Sequence, residues 1–148
     1  MRHGVGATLA PQDEWQLYDP TLLEALLSSP VGRDALRELT ECRQVLWTEV
    51  AAIAARTRTT TDLARLEAAV DDGEAFESAL LVAARNRFLR AALAAFERGL
   101  RAAASRPLAS DGSRLEPILE AVRNRDADAA RVAMRARLVR RRAGKSTG

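Results

Sequence analysis

From Arg33 to Arg56 the chain contains no glycine or proline, and Leu36, Leu39, Leu46, Val50 and Ile53 recur at spacings that stack along one face of a helix. This is the longest uninterrupted element the pattern predicts. Before it, Asp19 followed by Pro20 joins an N-cap residue to a first-turn proline and opens a short apolar helix, TLLEALL, ending near Ser28 to Pro30. After it, Thr59 and Asp62 have the spacing of a capping box and start a helix through Val70, with Leu63, Leu66 and Val70 turned inward. Asp71-Asp72-Gly73 breaks that helix. Phe76, Leu80, Leu81 and Ala84 mark the next face, and Asn86 ends or kinks the element before Phe88, Leu89, Leu93, Phe96 and Leu100 resume the period.

Ser105 to Ser113, with Pro107 and Gly112, reads as a loop. Leu115, Ile118, Leu119 and Val122 then define a helix in which Pro117, lacking an N–H, must sit near the start or at a kink. Asp126 caps a last helix carrying Val132, Met134, Leu138 and Val139, which frays at Ala143-Gly144. Only Arg2 to Pro11, with two glycines, small and β-branched residues and a closing proline, suits a strand or an extended lead-in. About six or seven amphipathic helices without intervening strands predict an all-α, antiparallel helical bundle. Residues 1–18 are expected to be a lead-in and linker, 19–143 the helical domain and 144–148 a disordered tail.

Composition sharpens this picture. Apolar residues make up 47% of the 148 positions but aromatics only 4%, so the core must come from closely approaching, alanine-rich helices. The formal charge of +3 is concentrated: Arg137, Arg140, Arg141, Arg142 and Lys145 crowd the C-terminus without an acid, leaving the remainder net acidic. Lys145 is the sole lysine, which points to a compositional bias toward arginine rather than to a phosphate-binding surface. No window approaches the roughly 18 apolar residues of a membrane span, and no signal-type segment opens the chain, so a cytoplasmic location is expected. Cys42, the only cysteine, lies mid-helix among apolar neighbours and is expected to be a small core residue.

Little catalytic chemistry is available. A mononuclear metal site needs three or four convergent His, Cys or carboxylate ligands, and nucleophilic triads need an imidazole; His3 is the only histidine and lies in the lead-in. Gly4 to Gly6 is too short for a phosphate loop and precedes no helix. What remains are charges interrupting apolar faces: Arg43 beside Leu39 and Leu46, Glu77 after Phe76, and Arg137 next to Leu138. Arg43 must either pair with a carboxylate of the fold or bind one from outside, because an uncompensated guanidinium there is costly.

Taken in order, DEWQLYDPTLLEALL, RELTECRQVLWTEVAAIAAR, TTTDLARLEAAV, EAFESALLVAARNRFL and PILEAVRNRDADAARVAMRARL resemble the FCD (FadR C-terminal) effector-binding domain of GntR-type bacterial transcription regulators. RHGVGATLAP resembles the end of the wing hairpin of the DNA-binding domain that precedes it there. The resemblance implies an all-helical domain that encloses a cavity, binds a small organic or sugar acid, forms a homodimer and reaches DNA only through an N-terminal domain for which this chain has no room. Many members hold a metal through an Asp-x-x-Phe-His motif and two later histidines. Those four positions fall here on Gly73, Glu77, Leu115 and Arg137, which implies a metal-free member with no cofactor. Arg43 matches the family's cavity-facing arginine and Asn86 its asparagine, while Trp47 stands where glutamate is common. The implied binding residues are therefore Arg43, Trp47 and Asn86, with Glu77 and Arg137 expected to pair across the vacated metal position. No catalytic residue is implied. Two other readings are a purely structural dimerisation module and a small all-helical mutase of the chorismate mutase type, using arginines to stabilise a dianionic transition state.

Overall fold

The computed structural model describes residues 19–103 and 114–143. These form seven helices and no strand: α1 (Pro20–Leu27), α2 (Gly32–Thr57), α3 (Thr60–Ala68), α4 (Gly73–Ala84), α5 (Arg87–Ala103), α6 (Glu116–Arg123) and α7 (Ala127–Ala143). The lead-in and linker over 1–18, including the extended segment expected over Arg2–Pro11, the loop expected over Ser105–Ser113 and the tail 144–148 lie outside the described residues.

Helix α2 is the spine. Its 26 residues span roughly 39 Å at the ordinary helical rise, long enough to support two layers of neighbours. Toward its C-terminal half, Trp47, Val50, Ala51, Ala54 and Ala55 are buried against Leu66, Phe76, Leu80, Ile118, Val122 and Met134 from four other helices. The alanines let α4 and α7 approach α2 closely, which is why so few aromatics suffice. Toward its N-terminal half a smaller cluster joins Leu39 to Leu23 of α1 and to Phe96 and Leu100 of α5. Gly99 makes that contact possible, since a Cβ there would fall 2.1 Å from Leu23 Cδ2.

The helix ends follow the capping signals. Asp19 Oδ1 accepts from the N–H groups of Thr21 and Leu22 at 3.0 and 3.1 Å, and Pro20 occupies the first turn. The break at Asp71-Asp72-Gly73 is also a beginning, because Asp72 Oδ1 caps α4 through Glu74 and Ala75. Arg85, at φ 52°, ends α4 in the left-handed region. At the other end of the bundle Arg58 donates to the carbonyls of Val122 and Arg123, while Arg125 donates back to those of Arg56 and Arg58. This clamp holds the end of α2 beside the start of α7, so the two helices run antiparallel.

The capping box at Thr59 and Asp62 is complete and does more than start α3. Asp62, 4% exposed at its side chain, accepts from Thr59 N at 2.9 Å, Thr59 Oγ1 at 2.8 Å and Arg85 Nη2 at 2.8 Å, tying the first turn of α3 to the last of α4. The Thr59 N–H, followed by the Thr59 hydroxyl and Arg85, holds the Asp62 carboxyl below its ordinary value despite the cost of burial. A carboxyl so lowered contributes stability that is full above its unfolded pKa of about 3.9 and disappears as pH falls through the lower folded value. Asp62→Asn is expected to cost about 1–3 kcal/mol at neutral pH. In urea unfolding, the gap between the two proteins should close as pH falls below about 4; a pH-independent gap would show that the charge is not what matters.

Several apolar positions are not where the periodicity put them. Phe88 is 80% exposed, Val132 70%, Val139 50% and Leu36 40%. Phe88 sits one residue off the stripe that packing selected in α5, Leu89, Leu93, Phe96 and Leu100, and Val132 and Val139 lie away from the α7 stripe of Ala130, Met134 and Leu138. Leu36 is in line with Leu39 and Trp47 but lies near the start of α2. Cys42 is exposed rather than in the core, because Arg43 and Trp47 set the inward face of α2 at that level.

Candidate functional site

Helices α4 and α5 both pack on α2 but barely touch each other. The short turn at Arg85-Asn86 starts them as an antiparallel hairpin, and between them an open cleft of about 310 Å³ lies over Trp47. Its walls follow from helical spacing: Glu74, Glu77, Ser78, Leu81 and Val82 share one face of α4, and Arg90, Leu93, Ala94, Glu97 and Arg101 share one face of α5. Leu81, Val82 and Leu93 make the end near the turn apolar. The three glutamates and Arg101 make the far end polar. Its volume lies at the lower end of the usual small-molecule range, and its floor is an aromatic ring 2% exposed.

Two ion pairs lie at the polar end. Arg43 donates through Nε to Glu97 Oε1, and Trp47 Nε1 donates to the same oxygen at 3.3 Å. Arg43 therefore satisfies its charge within the fold, across to α5. Arg137 Nη1 donates to Glu77 Oε1 at 2.6 Å, and the two side chains are 2% and 14% exposed. This pair links α4 to α7 over the central helix, as the opposite charges at those two positions led one to expect. Both glutamates line the cleft, and both arginines lie behind it.

Of the five residues singled out from the sequence, only Trp47 and Glu77 line the cleft. Asn86 instead caps α5: its Oδ1 accepts from the N–H groups of Phe88 and Leu89 at 3.0 and 3.1 Å. That use of its amide oxygen explains the residue without a ligand. Glu97, Arg90 and Arg101 were not foreseen. Their common signal was present, since the charged positions 90, 97 and 101 form a stripe beside the apolar one on α5, but nothing in the sequence says that this stripe faces a gap.

Chemically the cleft offers recognition. Arg90 and Arg101, both exposed, form no ion pair among the described residues and present planar donors at the two ends of the groove. Among the described residues no group of three His, Cys, Asp or Glu side chains is placed to hold a metal ion, Leu115 and Gly73 being buried apolar positions. No helix of the described residues is long and apolar enough to cross a membrane. Compared with known proteins, the chain matches no family model, no curated protein and no solved structure.

Proposed function

We propose that this chain is a metal-independent ligand-binding and dimerisation domain of a GntR-like transcription regulator, and that its ligand is a small organic or sugar acid held in the cleft between α4 and α5. The observation that carries the reading is the Glu77–Arg137 pair. Two positions that the resemblance assigns to metal ligands, far apart in sequence, hold a buried ion pair at 2.6 Å. A fixed internal cation there supplies the positive charge that a metal would supply elsewhere, so the polar end of the cleft stays organised without one. The order of the helices and their capping agree with the same reading.

In this arrangement Arg101 meets the ligand carboxylate at the polar end, Arg90 stands at the opposite end, Leu81, Val82 and Leu93 cover the carbon skeleton, and Trp47 forms the floor. Arg43 acts from behind, holding Glu97 and the indole in place.

A thermal-shift screen of the purified chain against organic and sugar acids tests this. A ligand at about 100 times its dissociation constant stabilises by about 2.7 kcal/mol, which for a domain of this size raises the melting temperature by roughly 5–10 °C. Arg101→Gln should lower that shift, while elemental analysis should find no stoichiometric zinc or nickel. A second reading is a purely structural dimerisation module, favoured by the internal engagement of Arg43 and by the openness of the cleft. It is the outcome if no acid shifts the transition.

A further inference from the structure

We propose that the face formed by α2 and α7 docks a second copy of this chain about a twofold axis running through Val45 and Val139. This rests on the pairing half of the function proposed above and assigns it a surface, on the side of α2 given over to α7 rather than in the cleft.

The two helices share a shallow groove of about 280 Å³ whose rim includes Glu41, Gln44 and Val45 of α2 and Arg135 and Val139 of α7. Val45 is 63% exposed and Val139 50%, with Val132 two turns away along α7 at 70%. Three β-branched apolar side chains thus face solvent on adjacent helices, although each helix buries a well-formed stripe on its other side. The helices are antiparallel, with Glu49 paired to Arg131 at 2.8 Å below the groove. Glu41 and Val139 therefore share one level of the face, and Val45 and Arg135 the next.

That arrangement is self-complementary. The charged residues occupy one diagonal of the face and the valines the other. A twofold axis in the plane of the face, along the valine diagonal, sets Val45 against its own copy and Val139 against its own copy. The same rotation brings Glu41 over Arg135 of the second copy and Arg135 over its Glu41. In an isologous interface every such contact occurs twice, so two opposite-charge pairs flank a central apolar contact. Both charges are available for it. Arg135 has no ion pair among the described residues, and Glu41 is held only by Arg37 on its own helix, at 3.2 Å with both side chains about half exposed.

Sedimentation of the full chain tests the proposal, with Glu41→Arg, Arg135→Glu and the double reversal. Both positions of the cycle are solvent-facing, and circular dichroism checks that helix content is retained. The wild-type chain should dimerise. Each single reversal places like charges together at two symmetry-related points and should weaken dimerisation about tenfold or more, and the double reversal should restore most of the loss. A dimer that neither single reversal weakens, or singles that the double fails to rescue, would overturn this face while leaving pairing elsewhere intact. A chain that stays monomeric at all accessible concentrations overturns both the face and the pairing, and leaves the acid-binding half of the reading to the thermal-shift screen.

Discussion

Glu77→Leu is expected to destabilise the fold by about 3–5 kcal/mol, whereas the double variant Glu77→Leu/Arg137→Met should return to within about 1 kcal/mol of the wild type or exceed it. The asymmetry follows from burial. Arg137 is 2% exposed at its side chain, so removing the carboxylate 2.6 Å from its Nη1 takes away a counter-charge in direct contact without readmitting water. Replacing both members by apolar groups removes the desolvation cost together with the attraction. The Arg131–Glu49 pair is the internal control. It has the same residue types and two good hydrogen bonds, at 2.8 and 3.0 Å, and the guanidinium pulls the Glu49 carboxyl below its ordinary value. Its side chains are nevertheless 34% and 42% exposed, and solvent screening reduces such a pair to about 0–1 kcal/mol. Urea midpoints of Glu77→Leu, Glu49→Leu and the double variant decide the matter. Equal costs for the two single changes would show that the Glu77–Arg137 pair behaves as a surface pair, and the charge-replacement reading of the metal position would lose its support.

Trp47→Ala is expected to cost about 3–5 kcal/mol, and Trp47→Phe no more than about 1.5 kcal/mol. The ring is buried in the main core and also floors the cleft, so truncation opens a cavity at the junction of α2, α4 and α5. Phenylalanine refills most of that volume but cannot donate to Glu97 as the indole does at 3.3 Å. The phenylalanine variant therefore separates packing from recognition: it should fold, yet bind an acidic ligand more weakly because Glu97 is less firmly held. Trp15 is the only other tryptophan, so in a Trp15→Phe background the emission reports Trp47 alone. It should be that of a buried indole and should change on ligand binding. Emission at the position of a solvated indole, or unchanged affinity of Trp47→Phe, would remove Trp47 from the site.

The ion pairs show how far charge pattern alone could be carried. That Arg43 sits beside a core stripe was evident from Leu39 and Leu46, and so was its need for a carboxylate. Which carboxylate was not, because Glu97 lies on another helix and its rotation about that helix is decided by where Phe96 and Leu100 meet Leu23 and Leu39. Glu77 and Arg137 could be matched to each other only through the resemblance, which put both at one former centre. Asn86 shows the opposite case: a polar residue aligned with a binding role uses its oxygen on the N–H groups of Phe88 and Leu89 in the first turn of α5, a local demand that every helix start makes.

By itself the sequence determined the helical class, the helix starts at Asp19, Thr59 and Asp126, the long spine of α2 and the shortage of metal-binding or nucleophilic side chains, because caps, breakers and residue chemistry act over a few neighbouring positions. Only the tertiary structure decided that Cys42, Phe88, Val132 and Val139 face outward, that Arg43 meets Glu97, and that α4 and α5 part over Trp47 to leave a cleft. A helix with apolar residues on neighbouring stripes can satisfy its own hydrogen bonds at any rotation, and the rotation is chosen when several helices compete to bury their faces against the same spine.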